Sequence, residues 1–278
     1  MTPIRTRFAP SPTGFLHLGH VVSAVHAQDL SRNGGFIIRI EDIDKQRCTP
    51  AFTTALIADL MWLGFTSGHP IRQQSSHFGE YETCLELLRR RGLLYPCTCS
   101  RQDIATHARL KAPDGSLVYP GTCRHRPVPT DRPVTWRLNM AAATAEVGSR
   151  MHWQEIDGNR VERDVSNFGD IVLGRRDSGV SYHLCVTHDD HVQDIDIVTR
   201  GRDLFEATAI HRLLQILLGY RKPRYAHHAL LMAPDGRKLS KRDGSESVRS
   251  MKSRGMTPSE VRAAARSALI RADRSADT

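Results

Sequence analysis

Arg7-Phe8-Ala9-Pro10-Ser11-Pro12-Thr13-Gly14-Phe15-Leu16-His17-Leu18-Gly19-His20 is the stretch on which the fold turns. It opens on the end of a short strand-like segment, Ile4 to Phe8. Two prolines and a glycine between Pro10 and Gly14 then forbid regular structure. From Leu18 to Leu30 the apolar residues Leu18, Val21, Val22, Val25 and Leu30 recur at helical spacing. Asn33-Gly34-Gly35 ends that helix, and Phe36 to Ile40 is a β-rich run suited to a buried strand. Thr49-Pro50 opens a second helix carrying Leu56, Ile57, Leu60, Met61 and Leu63. Strand, helix, strand, helix predicts a parallel sheet with crossover helices. A third helix is expected from about Tyr81 to Arg91. Between about 95 and 165 Cys, Pro and Gly become frequent and helical periodicity fades, which marks an insertion or second lobe. Further on, Ser181 to Val186 reads as one strand and Asp196 to Thr199 as another. Helices are expected from about Leu204 to Leu218 and from Pro258 onward.

The 278 residues are 40% hydrophobic and 25% charged, a balance that excludes disorder, collagen and a small disulfide scaffold. No apolar stretch approaches the roughly 20 residues that cross a bilayer, and Met1 to Pro10 lacks the apolar core of a signal peptide. A cytoplasmic protein without a membrane partner is therefore expected, its six cysteines reduced. Lys and Arg number 39 against 30 Asp and Glu, a net charge of +9. That excess suits a polyanion such as nucleic acid, although Arg supplies 33 of the 39, which coding bias also produces. From Arg237 onward 11 basic residues face 5 acidic ones, either a nucleic-acid contact or a solvated basic helix.

Gly14 to Gly19 has the spacing of a phosphate loop, but His20 and Val21 stand where Lys and Ser/Thr are required, so the NTP-hydrolase motif fails. No GxGxxG supports a dinucleotide. A helix N-terminus after a strand still offers free N–H groups to an anion, Gly19 permits close approach to the backbone, and His17 and His20 share a face. The two histidines either donate to a phosphate or cap the helix. Lys238-Leu239-Ser240-Lys241-Arg242 either neutralises charge on a transferred phosphate or is ordinary surface. Cys97, Cys99 and Cys123 fall within 27 residues, as a structural tetrahedral zinc site or three unrelated thiols. Cys48, Cys84 and Cys185 lack any partner spacing. His188-Asp189-Asp190-His191 has the look of a metal cluster but reads instead as an acidic pair just past the preceding strand.

Taken together, Arg7 to Gly14 with His17-Leu18-Gly19-His20, Arg39-Ile40-Glu41-Asp42-Ile43-Asp44 and Lys238 to Arg242 resemble the signatures of the glutamate-specific class I aminoacyl-tRNA synthetases. Thr199-Arg200-Gly201-Arg202-Asp203-Leu204 is similar to the form in their short glutamyl-queuosine branch. In addition, Thr278 follows Arg242 too closely for the helical anticodon-binding domain of the full-length enzymes. The resemblance covers nearly the whole chain. It implies a doubly wound, Rossmann-type α/β catalytic domain split by a zinc-bearing insertion, with a short helical C-terminal segment. The expected divisions are 1–94 and 176–225 for the catalytic halves, 95–175 for the insertion and 226–278 for the terminal segment.

That resemblance also implies ATP-dependent, tRNA-independent activation of L-glutamate, with Mg²⁺, and its transfer to the queuosine of tRNA(Asp) by a monomer. Arg7, Ala9, Ser11, Glu41, Tyr182 and Arg200 would form the glutamate site. The chemistry agrees: arginines suit two carboxylates, Glu41 an ammonium, and Tyr182 offers a hydroxyl. Which arginine takes which carboxylate stays open. His17, Gly19, His20 and Lys241 would hold the ATP phosphates with Lys238 nearby, and His17, His20, Lys238 and Lys241 would carry the catalysis by positioning and charge stabilisation. For zinc, the family pattern adds Tyr119 to Cys97, Cys99 and Cys123, with His107 or His125 as chemical competitors. Two alternatives remain: a truncated synthetase charging a 3′-end, and a tRNA-binding module without turnover.

Overall fold

The computed structural model describes residues 2–127, 131, 133–231 and 246–276, so the expected lysines Lys238 and Lys241 lie outside the described residues. The elements run β1 (Thr6–Phe8), α1 (Leu18–Leu30), β2 (Phe36–Ile40), α2 (Pro50–Trp62), β3 (Arg72–Gln73), α3 (Phe78–Arg90), β4 (Leu94–Cys97) and α4 (Arg101–His107). They continue β5 (Thr135–Leu138), α5 (Met140–Val147), β6 (Arg150–Gln154), β7 (Arg160–Asp164), β8 (Val172–Gly174) and α6 (Tyr182–Val192). The last are β9 (Ile197–Gly201), α7 (Thr208–Leu217), β10 (Arg224–His228), α8 (Val248–Ser253) and α9 (Pro258–Ala276). No helix among the described residues is long and apolar enough to cross a membrane. The chain divides into two compact units, Met1–Ser75 with Asp194–Asp203 and Pro223–Thr278, and Ser76–Gln193 with Leu204–Lys222.

The first unit is built on a five-stranded parallel sheet of order β10-β9-β1-β2-β3. Strand order reverses at β1, which makes the sheet doubly wound. Every residue of β1 and β2 is buried, as expected of central parallel strands. Phe8, Val21, Val25, Ile38, Leu56 and Leu60 share one core with Val248, Val261 and Ala265. The turn into β2 needs its glycines: Gly34 has φ +76°, and a Cβ on Gly35 would lie 2.0 Å from the Ile4 carbonyl oxygen. Thr49 caps α2, its hydroxyl accepting from the Phe52 amide at 3.3 Å, with Pro50 in the first turn, where no N–H is missed.

The second unit holds an antiparallel sheet, β4-β5-β8, and a hairpin of β6 and β7. Ser181 to Val186, read from sequence as a strand, is instead the start of α6. Ser181 caps the helix, its hydroxyl accepting from the Leu184 amide at 3.4 Å. A six-residue stretch with its apolar residues at Leu184, Cys185 and Val186 cannot distinguish a buried strand from the buried side of a helix; the cap and the polar continuation to His191 decide it.

In the first unit α1 buries most of His26, whose Nε2 has no hydrogen-bond partner among the described residues. Burial, reinforced by His228, brings its pKa from 6.5 down to about 4 against the pull of Asp273 and Asp29. The unfolded chain therefore takes up a proton near pH 6.5 and the folded chain only near pH 4. Stability from this group is full above pH 6.5 and lost as pH falls toward 4. Between pH 7 and pH 5 the loss should be about 2 kcal/mol, read from urea midpoints. His26→Leu should flatten that interval, and an unchanged slope in the variant would refute the assignment.

Candidate active site and cysteine cluster

In an open parallel sheet, ligands bind beyond the carboxyl ends of the strands where strand order reverses. Arg7 lies on β1, only 4% exposed, and its Nη1 donates to the Thr199 carbonyl at 2.6 Å. On the adjacent β9, Arg200 is also buried; its Nε donates to His227 Nε2 at 3.2 Å, and its guanidinium lies 5.5 Å from the centre of the Tyr225 ring. Glu41 follows β2 directly. Its amide donates to the Pro10 carbonyl at 3.1 Å, which fixes the loop bearing Ala9 and Ser11. Its Oε1 accepts from Arg39 Nη2 at 3.2 Å. The next residue, Asp42, is held by the Ser75 amide at 2.8 Å and the Gln73 side chain at 2.6 Å.

His17 and His20 do cap α1. The Gly19 amide donates to His17 Nδ1 at 3.1 Å, and the His17 amide donates to His20 Nδ1 at 3.1 Å. With both Nδ1 lone pairs engaged, the neutral rings carry their protons on Nε2. Capping and anion binding are therefore compatible, since one nitrogen of each ring serves the helix and the other is a donor. Together with Gly19 these histidines join Arg7, Ala9, Ser11, Glu41 and Arg200 in the first unit. Tyr182 belongs to the second unit, at the start of α6. There it lines a cavity of about 290 Å³ with Tyr119, Arg137, Arg175, Ser181 and His183.

Also in the second unit, Cys97, Cys99 and Cys123 converge, their sulfurs all within 4.8 Å of one another. Cys99 and Cys123 Sγ are 3.6 Å apart, too far for a disulfide. The Tyr119 hydroxyl sits 3.4 Å from both Cys97 Sγ and Cys99 Sγ and accepts from the Cys123 amide at 2.9 Å. Burial and the neighbouring thiols push Cys99 up to about 11 and Tyr119 well above the usual phenol range. Burial opposes ionisation of Cys123 too, but hydrogen bonds from Tyr119, the Thr98 backbone and the other thiols bring it down to about 7. Cys123 thus ionises readily, while Cys99 and Tyr119 resist. His107 is not part of the group; its Nδ1 bonds the Asp103 carbonyl at 2.7 Å. Nor does His125 belong to the group, which among the described His, Cys, Asp and Glu residues comprises the three cysteines.

The side chains of His188 to His191 serve other contacts. His188 bonds Glu80 at 3.0 Å and the Tyr220 hydroxyl at 2.7 Å. Asp189 accepts from the Tyr81 hydroxyl at 2.9 Å, and the His191 ring stacks on Tyr220.

Residues 3–272 match the family model of the class I tRNA synthetases (E and Q), catalytic domain. This chain belongs to that family. Its members are ligases that use ATP with Mg²⁺, an amino acid and tRNA. A Glutamyl-Q tRNA(Asp) synthetase of Rhodobacter capsulatus is 45% identical over 92% of this chain and 98% of its own length. A protein of the same name from Dechloromonas aromatica is 39% identical over 89% and 81%. Among solved structures, a glutamate tRNA ligase from Elizabethkingia meningosepticum, in complex with its amino acid, matches with a TM-score of 0.68 and 30% identity. That match covers 87% of this chain and 52% of the ligase, so the chain spans about half the solved enzyme's length.

Several residues that support the candidate residues within each unit escaped the sequence reading. His227 and Tyr225 brace Arg200, and nothing in their spacing announces it. Arg137 is buried with its guanidinium carbon 3.8 Å from the centre of the Tyr119 ring. Asp170, 2% exposed, accepts from the Tyr95 hydroxyl at 2.5 Å, Arg124 Nε at 2.8 Å and the Met140 amide at 2.9 Å. It thereby ties the residue after Cys123 to β4 and α5. Asp170→Ala strands a buried hydroxyl and a guanidinium and should cost about 3 kcal/mol or more. Asp170→Asn, which keeps an acceptor, should cost less. Equal urea midpoints for wild type and Asp170→Ala would contradict this.

Proposed function

We propose that this chain activates L-glutamate with ATP and Mg²⁺ to glutamyl-adenylate without tRNA, then transfers glutamate to the queuosine base in the anticodon of tRNA(Asp). The observation that carries the reading is the match to the Rhodobacter capsulatus protein over 98% of that protein's length. The site chemistry supports it. Arg7 and Arg200 supply two cations for the two carboxylates and Glu41 an anion for the ammonium, with Ala9 and Ser11 on the loop that Glu41 fixes; Tyr182 would add a hydroxyl. The glutamate α-carboxylate attacks the ATP α-phosphorus, a new O–P bond forms and pyrophosphate leaves. No protein nucleophile is required. The α1 N-terminus, Gly19 and the Nε2–H groups of His17 and His20 receive the phosphates, and Lys238 and Lys241 complete the charge neutralisation. These residues act by positioning and by stabilising developing negative charge.

Zinc fits the cysteine cluster. Tetrahedral geometry with a Zn–S length near 2.3 Å places sulfurs about 3.8 Å apart, close to the 3.6 Å between Cys99 and Cys123. Cys97, Cys99, Cys123 and Tyr119 would hold it. Its positive charge would let all four donors ionise together, and it would cross-link their segments without taking part in the reaction.

Labelled glutamate, with ATP and Mg²⁺, should become acid-precipitable on tRNA from cells that make queuosine and not on tRNA from cells that lack it. Equal labelling of both pools would mean 3′-end charging, and no label in either a loss of turnover. The site assignment has its own check. Arg200→Ala should lower glutamate-dependent ATP–pyrophosphate exchange by roughly 100-fold or more while ATP still binds; exchange at the wild-type rate would remove Arg200 from the site.

A further inference from the structure

The β6–β7 hairpin carries an uneven distribution of charge. Side chains on β6 alternate exposed and buried, with Met151 and Trp153 inward and Arg150, His152 and Gln154 outward. Cross-strand pairing sets Arg150 opposite Asp164, His152 opposite Glu162 and Gln154 opposite Arg160. Directly paired residues share a face. The outer face therefore reads, rung by rung, Arg150 with Asp164, His152 with Glu162, and Gln154 with Arg160.

The first end is neutralised internally. Arg150 Nη1 bonds Glu162 Oε1 at 3.3 Å, and Asp164 is held below the usual carboxylate range, mainly by its hydrogen bond from Ser166 and in part by Arg150. Around the Gln154–Arg160 rung the charge is mainly positive, with Glu162, already paired with Arg150, as the nearby carboxylate. Arg212, buried on α7, donates from Nε to the His152 carbonyl at 3.2 Å and from Nη1 to Gln215, bringing its guanidinium up to the hairpin. Lys222 lies close enough for its charge to be the strongest influence on His152, lowering its pKa ahead of burial, Arg160 and Arg212. Glu162 is the carboxylate that pulls the other way. Lys222 is in turn lowered by burial and then by Arg212 and Arg160. Arg160, Lys222 and His152 are exposed.

Like charges held together this way cost the folded state free energy unless an anion joins them. A small free anion needs an enclosed site, whereas this cluster lies open along two strands and their flank, where a polymer with regularly spaced phosphates can run. We infer that the cationic end of this hairpin, Arg160 and Lys222 with His152 and the underlying Arg212, is a docking surface for the phosphate backbone of an RNA substrate. This rests on the reading that the chain acts on tRNA, but not on which base receives the glutamate. Contacts of this kind position the nucleic acid and carry no sequence information.

The experiment compares two double variants that lose the same net charge. R160S/K222S removes the exposed cations of the cluster. R89Q/R90Q removes two cations of α3 already paired with Glu86 at 2.7 and 2.8 Å. Binding to an unmodified tRNA(Asp) transcript and to queuosine-bearing tRNA(Asp) is measured from 50 to 200 mM salt. For R160S/K222S, affinity for both RNAs should fall roughly 10-fold or more at 50 mM, and the log–log salt slope should become shallower by about 2. R89Q/R90Q should stay near wild type, and RNA-free pyrophosphate exchange should be unchanged in both. An unaltered slope in R160S/K222S, or an equal loss in the two variants, would overturn the docking surface. Neither result depends on whether queuosine is the acceptor, so failure here is distinguishable from failure of the transfer reading.

Discussion

The parallel pairing of β1 with β2 on one side and β9 on the other is the constraint on which the candidate site depends. That register places Arg7 beside Ile37 and sets Thr6 between Phe36 and Ile197. The strands consequently deliver Arg7, Glu41 and Arg200 toward the same edge of the sheet from three separate stretches of chain. The link is reinforced by two bonds between β1 and β9, from Arg7 Nη1 to the Thr199 carbonyl and from the Thr199 hydroxyl to the Arg7 carbonyl. A slip of one residue would turn these side chains to the opposite face. Full burial of β1 and β2 specifies the register strongly, because any slip would expose or misplace Phe8, Ile38 and Ile40.

The second unit uses a different device. Its β4-β5-β8 sheet is small, and among the described residues between β4 and β5 the regular element is the short helix α4. Asp170 gathers Tyr95, Arg124 and Met140 around one buried carboxylate, and the cysteine cluster gathers the chain again at Cys97, Cys99 and Cys123. Such point attachments hold together segments that the small sheet does not itself join.

The first unit was legible because its signals are local. Thr49-Pro50, Asn33-Gly34-Gly35 and the all-apolar face of Phe36–Ile40 each prescribe a cap, a turn or a buried strand without reference to distant residues. The proximity of the three cysteines in sequence made their convergence readable as well. Ser181 to Val186 failed because six residues of mixed polarity have no resolvable period; its cap was the better signal. The hydrogen bond from Arg200 to His227 and the place of Arg137 over Tyr119 are tertiary facts. They follow from strand order and lobe folding, and no spacing in the chain encodes them. His17 and His20 were legible as a pair, but that each commits Nδ1 to the helix cap becomes visible only with the cap geometry.

The most direct test of the central claim, a glutamate-activating site complete without RNA, is ATP–pyrophosphate exchange by the purified chain with each amino acid in turn and no tRNA present. The account expects exchange with L-glutamate and none above background with glutamine, aspartate or the others. Exchange that appears only when tRNA is added, or that another amino acid supports equally well, would contradict it.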